Sequence, residues 1–470
     1  MGGIWPIMSI AMDTEGILFD QNPHWSSNPP LRHPEFPFER QQLHWCEARL
    51  SDASSPRALA LIGLRHVGKT VILRQLAERL MRRGIEPRRI VYCNLADERW
   101  STPPSPREIV SAVEQLSQRP SAPVFFLFDE IQVFSGWHAW LKLAVDEGVH
   151  RFVVTGSAAS SIRDGARESG YGRWDEVSIE PLTFGEFVDM RGDSRRSKER
   201  VDVDPSSFGR FLRCSGFPAH AFEERAALVR QRLREDIVDR AIARDLHRLH
   251  VDVDQARRLF LWFAENSGAE LNMQDRAKDL DVDRKSIAKW LDILLDTRLL
   301  VELQATTTRQ GRGPGKASTL KRQAKIYVSD HGIISAFAPI PDPGADPHFR
   351  GKMFEALVFR HLREAPRVLR EDPDGYARHG DIKISYWPDK EGEIDFVLDT
   401  RTERIAIEVT ASAKVDSEKR AKFRRAAERA GATRRVLISA ARSAAEHEHE
   451  KFVAIDEFAL EPLRMLDLAP

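Results

Sequence analysis

The chain has 470 residues, too many for one ordinary hydrophobic core, so two to four domains are expected. Lys plus Arg and Asp plus Glu both number 71, which excludes a globally basic nucleic-acid binder and leaves any such contact to a local patch. Cys46, Cys93 and Cys214 stand far apart without CxxC or Cys/His spacing, which argues against a disulfide framework or a zinc site and fits a reducing cytosol.

The opening MGGIWPIMSIAM is apolar but short, has no basic residue before it and is followed by Asp13 and Glu15. It lacks the form of a signal peptide, and no later run approaches the roughly 20 apolar residues that span a bilayer. A cytoplasmic protein with no membrane partner is expected, with residues 1–50 as an N-terminal extension.

The strongest motif follows. Residues 59–70 read LALIGLRHVGKT, an apolar strand-like run and then Gly63-Leu-Arg-His-Val-Gly68-Lys69-Thr70, with a helical pattern beyond it. G-x-x-x-x-G-K-T between strand and helix is a phosphate-binding loop. Backbone N–H groups of the loop and the helix start, with Arg65 and Val71 beside them, are expected to surround phosphate; Lys69 reaches its outer oxygens and the Thr70 hydroxyl holds Mg²⁺. Residues 122–130, APVFFLFDE, read as a buried strand ending in Asp129 and Glu130. Asp129 is expected to orient the metal and Glu130 to polarise the attacking water. RFVVTGSAASS (151–161) places Thr155 and Ser157 at a strand tip, where a hydroxyl senses phosphate or water, and RIVYCNL (89–95) and EVSIEPL (176–182) supply two more strands. Strands alternating with helices give an α/β fold with a doubly wound parallel sheet.

GLRHVGKT, FLFDEIQVFSGW (126–137), VVTGSAASSI and GRWDEVSIEPLTFGEF (172–187) agree in order and spacing with one family. Over residues 20–250 the chain resembles the prokaryotic AAA+ ATPases of the archaeal-ATPase-like group. That resemblance implies ATP as the nucleotide, a P-loop core over 51–182 and a helical lid over 183–252. It also implies Arg173 as an arginine finger supplied to a neighbouring subunit, hence a homo-oligomer; a surface arginine in a loop shared with Arg163 and Arg167 is the alternative. Arg244 is a lid residue near nucleotide or an ordinary solvated helix charge.

Residues 253–338 read helix, short helix, turn, helix, strand, loop, strand, the layout of a winged helix-turn-helix. Asp283 is the expected N-cap, and Ile287, Leu291, Leu294 and Leu295 the packed face, leaving Arg284, Lys285, Ser286 and Lys289 outward. The loop 306–325 carries Arg309, Arg312, Lys316, Lys321, Arg322 and Lys325 and no acid. DNA contact through helix and loop is expected, with a packing module as the alternative.

PIPDPGADP (339–347) is a linker by composition. Beyond it GKMFEALVFRHLRE (351–364), ISYWPDKEGEIDFVLD (384–399) and RIAIEVTASAK (404–414) resemble the C-terminal region of the same ATPase group over 348–470, a fold like the PD-(D/E)xK nucleases. Glu355, Asp395 and Glu408 match that pattern's Mg²⁺ ligands. Thr410 stands where the pattern has lysine, and a neutral hydroxyl is a poor substitute at a charged transition state. Lys414 lies about 13 Å further along an extended strand; Lys383 and Lys390 are the other candidates. The sequence thus describes an ATP-hydrolysing, DNA-binding protein with a degenerate nuclease-like domain. Two alternatives stay open: a nucleotide-gated switch controlling oligomerisation or partner binding, as in defence-type NTPases, and an ATP-regulated Mg²⁺-dependent DNA nuclease.

Overall fold

The structure, a computed structural model, describes residues 14–26, 37–51, 57–116, 122–156, 172–196, 201–242, 252–306, 324–371, 373–389, 391–413, 415–441 and 450–469. The chain divides into two compact units, 1–180 and 181–470.

In the first unit, β1 (Ala58–Gly63), β2 (Ile90–Asn94), β3 (Phe125–Asp129), β4 (Arg151–Gly156) and β5 (Trp174–Ile179) form one sheet in the order β2-β3-β4-β1-β5. Every pairing is parallel, with Leu59 opposite Val153, Gly63 opposite Ile179, and Cys93 opposite Phe128. The continuous apolar runs of β1 to β4 fit strands covered on both faces, whereas β5 alternates, as an edge strand does. Pro181 lacks the N–H that a longer strand would need. Phe126 stacks on Phe128 and Phe152, and Trp140 meets the latter two edge-on, filling the core under the helix Trp137–Glu147. The chain leaves β1 through the helix Lys69–Arg82, passes over β4 and β3 to β2, and later passes over β1 to β5. That reversal opens a crevice at the carboxyl ends of the strands beside β1.

Residues 14–26, expected to lie in an extension, close the free edge of β2. The Asn22 amide donates to Tyr92 O (2.8 Å) and accepts from Tyr92 N (2.7 Å), Gln21 Oε1 accepts from Asn94 N (2.9 Å), and Trp25 Nε1 donates to Ile90 O (2.9 Å). Side-chain amides here stand in for a sixth strand and satisfy the edge.

The second unit begins with helices. Phe184–Arg191 starts at a capping box made by Thr183 and Glu186; β6 (Ser194–Arg196) pairs antiparallel with β7 (Val201–Val203); helices Ser207–Cys214 and Ala226–Arg232 follow, the latter running into a π-helical turn, Leu233–Asp239. Next come helix Val253–Glu265, β8 (Ala269–Glu270), helices Met273–Asp279 and Arg284–Asp296, and β9 (Leu300–Gln304) and β10 (Ala324–Val328), in a sheet ordered β8-β10-β9. Helix Pro347–Leu362, with Asp346 as N-cap and Pro347 in its first turn, precedes a five-stranded sheet: β11 (Lys383–Trp387), β12 (Ile394–Asp399), β13 (Arg404–Val409), β14 (Arg434–Ser439) and β15 (Glu450–Ala454), in chain order. The first two pairings are antiparallel and the last two parallel, helix Ser417–Arg429 making the crossover from β13 to β14. The small sheet meets the large one through a bridge between Ala305 and Tyr386, with Thr306 N donating to Tyr386 O (2.8 Å). Cys46, Cys93 and Cys214 are buried free thiols. Among the described residues, no helix is long and apolar enough to cross a membrane.

Candidate nucleotide site and a second acidic cluster

The two glycines of the loop are needed for different reasons. A Cβ on Gly63 would lie 2.0 Å from Ile179 O of the neighbouring strand, whereas Gly68 takes φ +96° to start the helix. His66 also adopts a left-handed backbone, φ 61°. The loop is held from outside by Arg40, a buried side chain that donates to Val67 O (3.2 Å) and Glu180 O (2.8 Å). Lys69 is buried and its ammonium donates to Gly63 O (3.0 Å) and Leu64 O (2.6 Å) of the loop it closes.

Asp129 ends β3 and is the hub of the crevice. Its Oδ2 accepts from Thr70 Oγ1 (2.7 Å) and from Tyr92 OH (3.0 Å), and its Oδ1 from Thr155 Oγ1. Because β4 lies between β1 and β3, Thr155 at its end also accepts from Glu130 N (3.0 Å). Glu130 is left-handed, φ 55°, an uncommon conformation for a residue with a Cβ. Its carboxylate takes a hydrogen bond from Gln132 and lies 4.0 Å from the Arg65 guanidinium. Val71 stands in the first turn of the loop helix. Ser157 lies outside the described residues. Arg173 is not brought to this crevice: it precedes β5, at the opposite end of that strand, and binds Asp146 (2.9 and 3.0 Å). Tyr92 and Arg40 belong to the site and carry no motif. Burial and the adjacent Asp129 charge hold the Tyr92 phenol well above its usual range.

The second unit gathers a different acidic group. Phe396 pairs with Ile407, so Asp395 and Glu408 fall at adjacent positions of the β12–β13 hairpin, and Asp395 Oδ2 accepts from Val409 N (2.8 Å). Glu355, from the helix above, accepts from Tyr327 OH (2.6 Å), and Gly268, φ +87°, leaves the space its carboxylate fills, since a Cβ there would sit 3.0 Å from Glu355 Oε1. Into this group comes Lys325 of β10, whose ammonium lies 3.3 Å from Glu355 and 3.9 Å from Asp395 and pairs with Glu393. The basic stretch 306–325 therefore ends with one lysine turned inward, 5% exposed. Burial alone would lower its pKa, but Glu355, Asp395 and Glu393 outweigh burial and keep it above the usual lysine range. Burial, with Glu408 and Glu355 close by, pushes the Asp395 carboxyl well above the carboxylate range, against Lys325. Burial likewise pushes Glu408 up to about 7, against Lys419, which lies 3.4 Å from its Oε1. Among the described residues, no three His, Cys, Asp or Glu side chains are grouped to hold a metal ion.

Thr410 takes no part: its N–H donates to Ile438 O (2.9 Å), and its hydroxyl accepts from Ser412 N (3.3 Å) in a turn. Lys383 is not the displaced lysine, because it pairs with Asp399, four residues along β12 from Asp395 and about 13 Å away. Lys390 and Lys414 lie outside the described residues.

On the helix Arg284–Asp296, Asp283 is the N-cap, accepting from Ser286 N (2.7 Å), and Arg284, Lys285 and Lys289 are exposed. Trp290 and Ile293 join Ile287, Leu291 and Leu294 on its buried face, while Leu295 is half-buried. Arg309, Arg312, Lys316, Lys321, Arg322 and Arg244 lie outside the described residues.

Residues 55–188 match an AAA domain, residues 207–344 a domain of unknown function (DUF8612), and residues 350–458 another (DUF4143). An uncharacterised protein of Haemophilus influenzae is 26% identical over 278 residues, 58% of this chain and 66% of that relative, so the chain spans just under two thirds of its length. One from Methanocaldococcus jannaschii is 22% identical over 384 residues, 75% of each chain. The solved structure of the Aeropyrum pernix ORC1 protein in complex with DNA has a TM-score of 0.32 at 13% identity, covering 68% of this chain and 96% of that one. The loop, the parallel sheet and the match over residues 55–188 agree on a P-loop nucleotide-binding fold similar to that of AAA domains.

Proposed function

We propose that the protein binds and hydrolyses ATP in the crevice beside β1 and responds to DNA through the second unit. The observation that carries the reading is Asp129, a buried carboxylate held by three hydroxyls next to the phosphate loop. Thr70 Oγ1 and Asp129 Oδ2, 2.7 Å apart, are hard oxygen donors of the kind Mg²⁺ takes, so the residues present fit that ion. Mg²⁺, when bound there, offsets phosphate charge. Lys69 exchanges its two loop carbonyls for phosphate oxygens, and Glu130 orients water and takes up its proton. Thr155, bonded to both acids in turn, keeps them in register. Arg173 is assigned to a neighbouring subunit's nucleotide, and its pair with Asp146 breaks before it reaches there.

The helix Arg284–Asp296, following a short helix and preceding an antiparallel hairpin, supports a winged helix-turn-helix, and its exposed Arg284, Lys285 and Lys289 are the DNA-facing set. The mixed sheet with Asp395 and Glu408 on one hairpin supports a nuclease-like fold over 348–470 that serves binding and not cleavage. The test is phosphate release from ATP with and without supercoiled plasmid. Turnover should rise with plasmid in the wild type, and the rise should vanish when Arg284, Lys285 and Lys289 are all changed to Ala. Equal turnover in all four conditions overturns the DNA part of the reading; no turnover in any overturns the ATPase part.

A further inference from the structure

The three carboxylates expected to hold Mg²⁺ in the second unit are not placed as an open ligand set: among the described residues no three acids are grouped to hold a metal ion, and the Lys325 ammonium lies between two of the expected ligands. We infer that Lys325 occupies the cation position of this cluster, so that Glu355, Glu393 and Asp395 form an ionic clasp between β10 and the C-terminal sheet and not a metal centre. The inference rests on the nuclease-like reading of residues 348–470.

Three observations carry it. The ammonium lies 3.3 Å from Glu355 and 3.9 Å from Asp395, two of the three expected ligands, and it pairs with Glu393 as well. A divalent ion drawing oxygens to about 2.1 Å would have to share that space with a fixed positive charge. The lysine is not free to withdraw: its backbone pairs with Leu303 on one side and Glu270 on the other, so β10 is the central strand of its sheet, and its stem is 5% exposed with the Tyr386 ring 5.4 Å away. The remaining expected ligand, Glu408, faces a different lysine, Lys419, at 3.4 Å. Two lysines thus stand among these acids, Lys325 beside Glu355, Glu393 and Asp395 and Lys419 beside Glu408. Glu355 is further fixed by Tyr327 OH at 2.6 Å, so the clasp ties β10, the helix Pro347–Leu362 and β12 together. Among the described residues, the lysine that stands beside Glu355 and Asp395 comes from another sheet, not from the segment that carries Thr410.

The test is titration of Mn²⁺ into the full chain without nucleotide or DNA, so that every variant carries the same ATP site. Wild type and Asp395→Asn should bind the same number of ions. Lys325→Gln should gain one ion, and Lys325→Gln with Asp395→Asn should lose it again. A Mn²⁺ ion bound by wild type and abolished by Asp395→Asn overturns the clasp, as does Lys325→Gln that folds and gains nothing. If Lys325→Gln does not fold, the wild type and Asp395→Asn pair decides alone. Plasmid retention by Lys325→Gln, measured in parallel, tests the reading beneath: Mn²⁺ uptake without plasmid contact refutes a nuclease-like domain and leaves the clasp standing.

Discussion

Two acidic centres, one in each unit, show how surroundings decide what a carboxylate is for. Asp129 is surrounded by hydroxyls of Thr70, Tyr92 and Thr155. These donors are neutral hydroxyls, so an arriving cation finds a carboxylate already oriented. Asp395 and Glu355 face the Lys325 ammonium, and Glu408 faces Lys419. There an ammonium already stands within reach of each acid and takes up the space that a further cation would need. Both places hold acids on apolar strands, but only the first is arranged to exchange partners.

The contrast can be broken most forcefully at Glu130. Glu130→Gln leaves the loop, Asp129 and its three hydroxyls in place and should lower ATP turnover by about 10²–10⁴-fold while binding survives, measured by phosphate release and by fluorescent-nucleotide titration. A switch reading makes the same variant lock the protein in its nucleotide-bound state, visible as a persistent change in mass by light scattering.

Next in size is the loss of a charge partner. Lys325→Ala leaves three acids without their cation and should cost about 3–5 kcal/mol of stability in denaturant unfolding. Asp129→Asn keeps one acceptor oxygen and puts an N–H₂ donor in place of the other, and should cost less, about 1–2 kcal/mol. Similar costs at both sites would erase the distinction drawn between them.

A pH series sharpens the comparison further. The folded pKa of Glu408 is about 7 against an ordinary 4.5, so between those values the folded chain holds more protons than the unfolded one. Stability contributed at this site therefore falls as pH rises from 4.5 to 7. Glu408→Gln removes the effect, and its stability relative to wild type should grow across that window by up to about 2–3 kcal/mol and level off above it. His361, whose burial lowers its pKa to about 3, acts with the opposite sign but is common to both chains and cancels in the difference. A flat difference would contradict the burial of Glu408. The smallest effect is expected at Tyr92: Tyr92→Phe removes one hydroxyl from Asp129 and should lower kcat/KM for ATP about tenfold, or about 1.4 kcal/mol, in steady-state kinetics.

What the sequence made legible follows from how local each signal is. Gly63 to Thr70 and Asp129-Glu130 are read from contiguous residues because strand, turn and helix are set by neighbours in the chain, and the acids end an apolar run that can only be a covered strand. The Asp395–Glu408 pairing was legible for the same reason, a hairpin with its register fixed by a short turn. Lys325 was not, because its partners Glu355 and Asp395 are 30 and 70 residues away on other elements. In sequence it looked like the last charge of a solvated basic stretch. Tyr92, within IVYCN, is indistinguishable from an ordinary core aromatic until β3 is placed beside it. Gln21 and Asn22 gave no strand signal, since they serve β2 with side-chain amides and not with a backbone ladder. Trp290 and Ile293 widen the buried face of their helix beyond the expected positions because that helix is covered on more than one side.

The most direct test of one working centre and one clasp is phosphate release from ATP in Mg²⁺ with supercoiled plasmid, the same plasmid then run on a gel, for wild type, Glu130→Gln and Asp395→Asn. The account predicts phosphate release by wild type and Asp395→Asn, its near loss in Glu130→Gln, and plasmid left supercoiled in all three. Plasmid nicked by wild type and spared by Asp395→Asn would contradict it, because the acids around Lys325 would then be a second working catalytic centre and not a clasp.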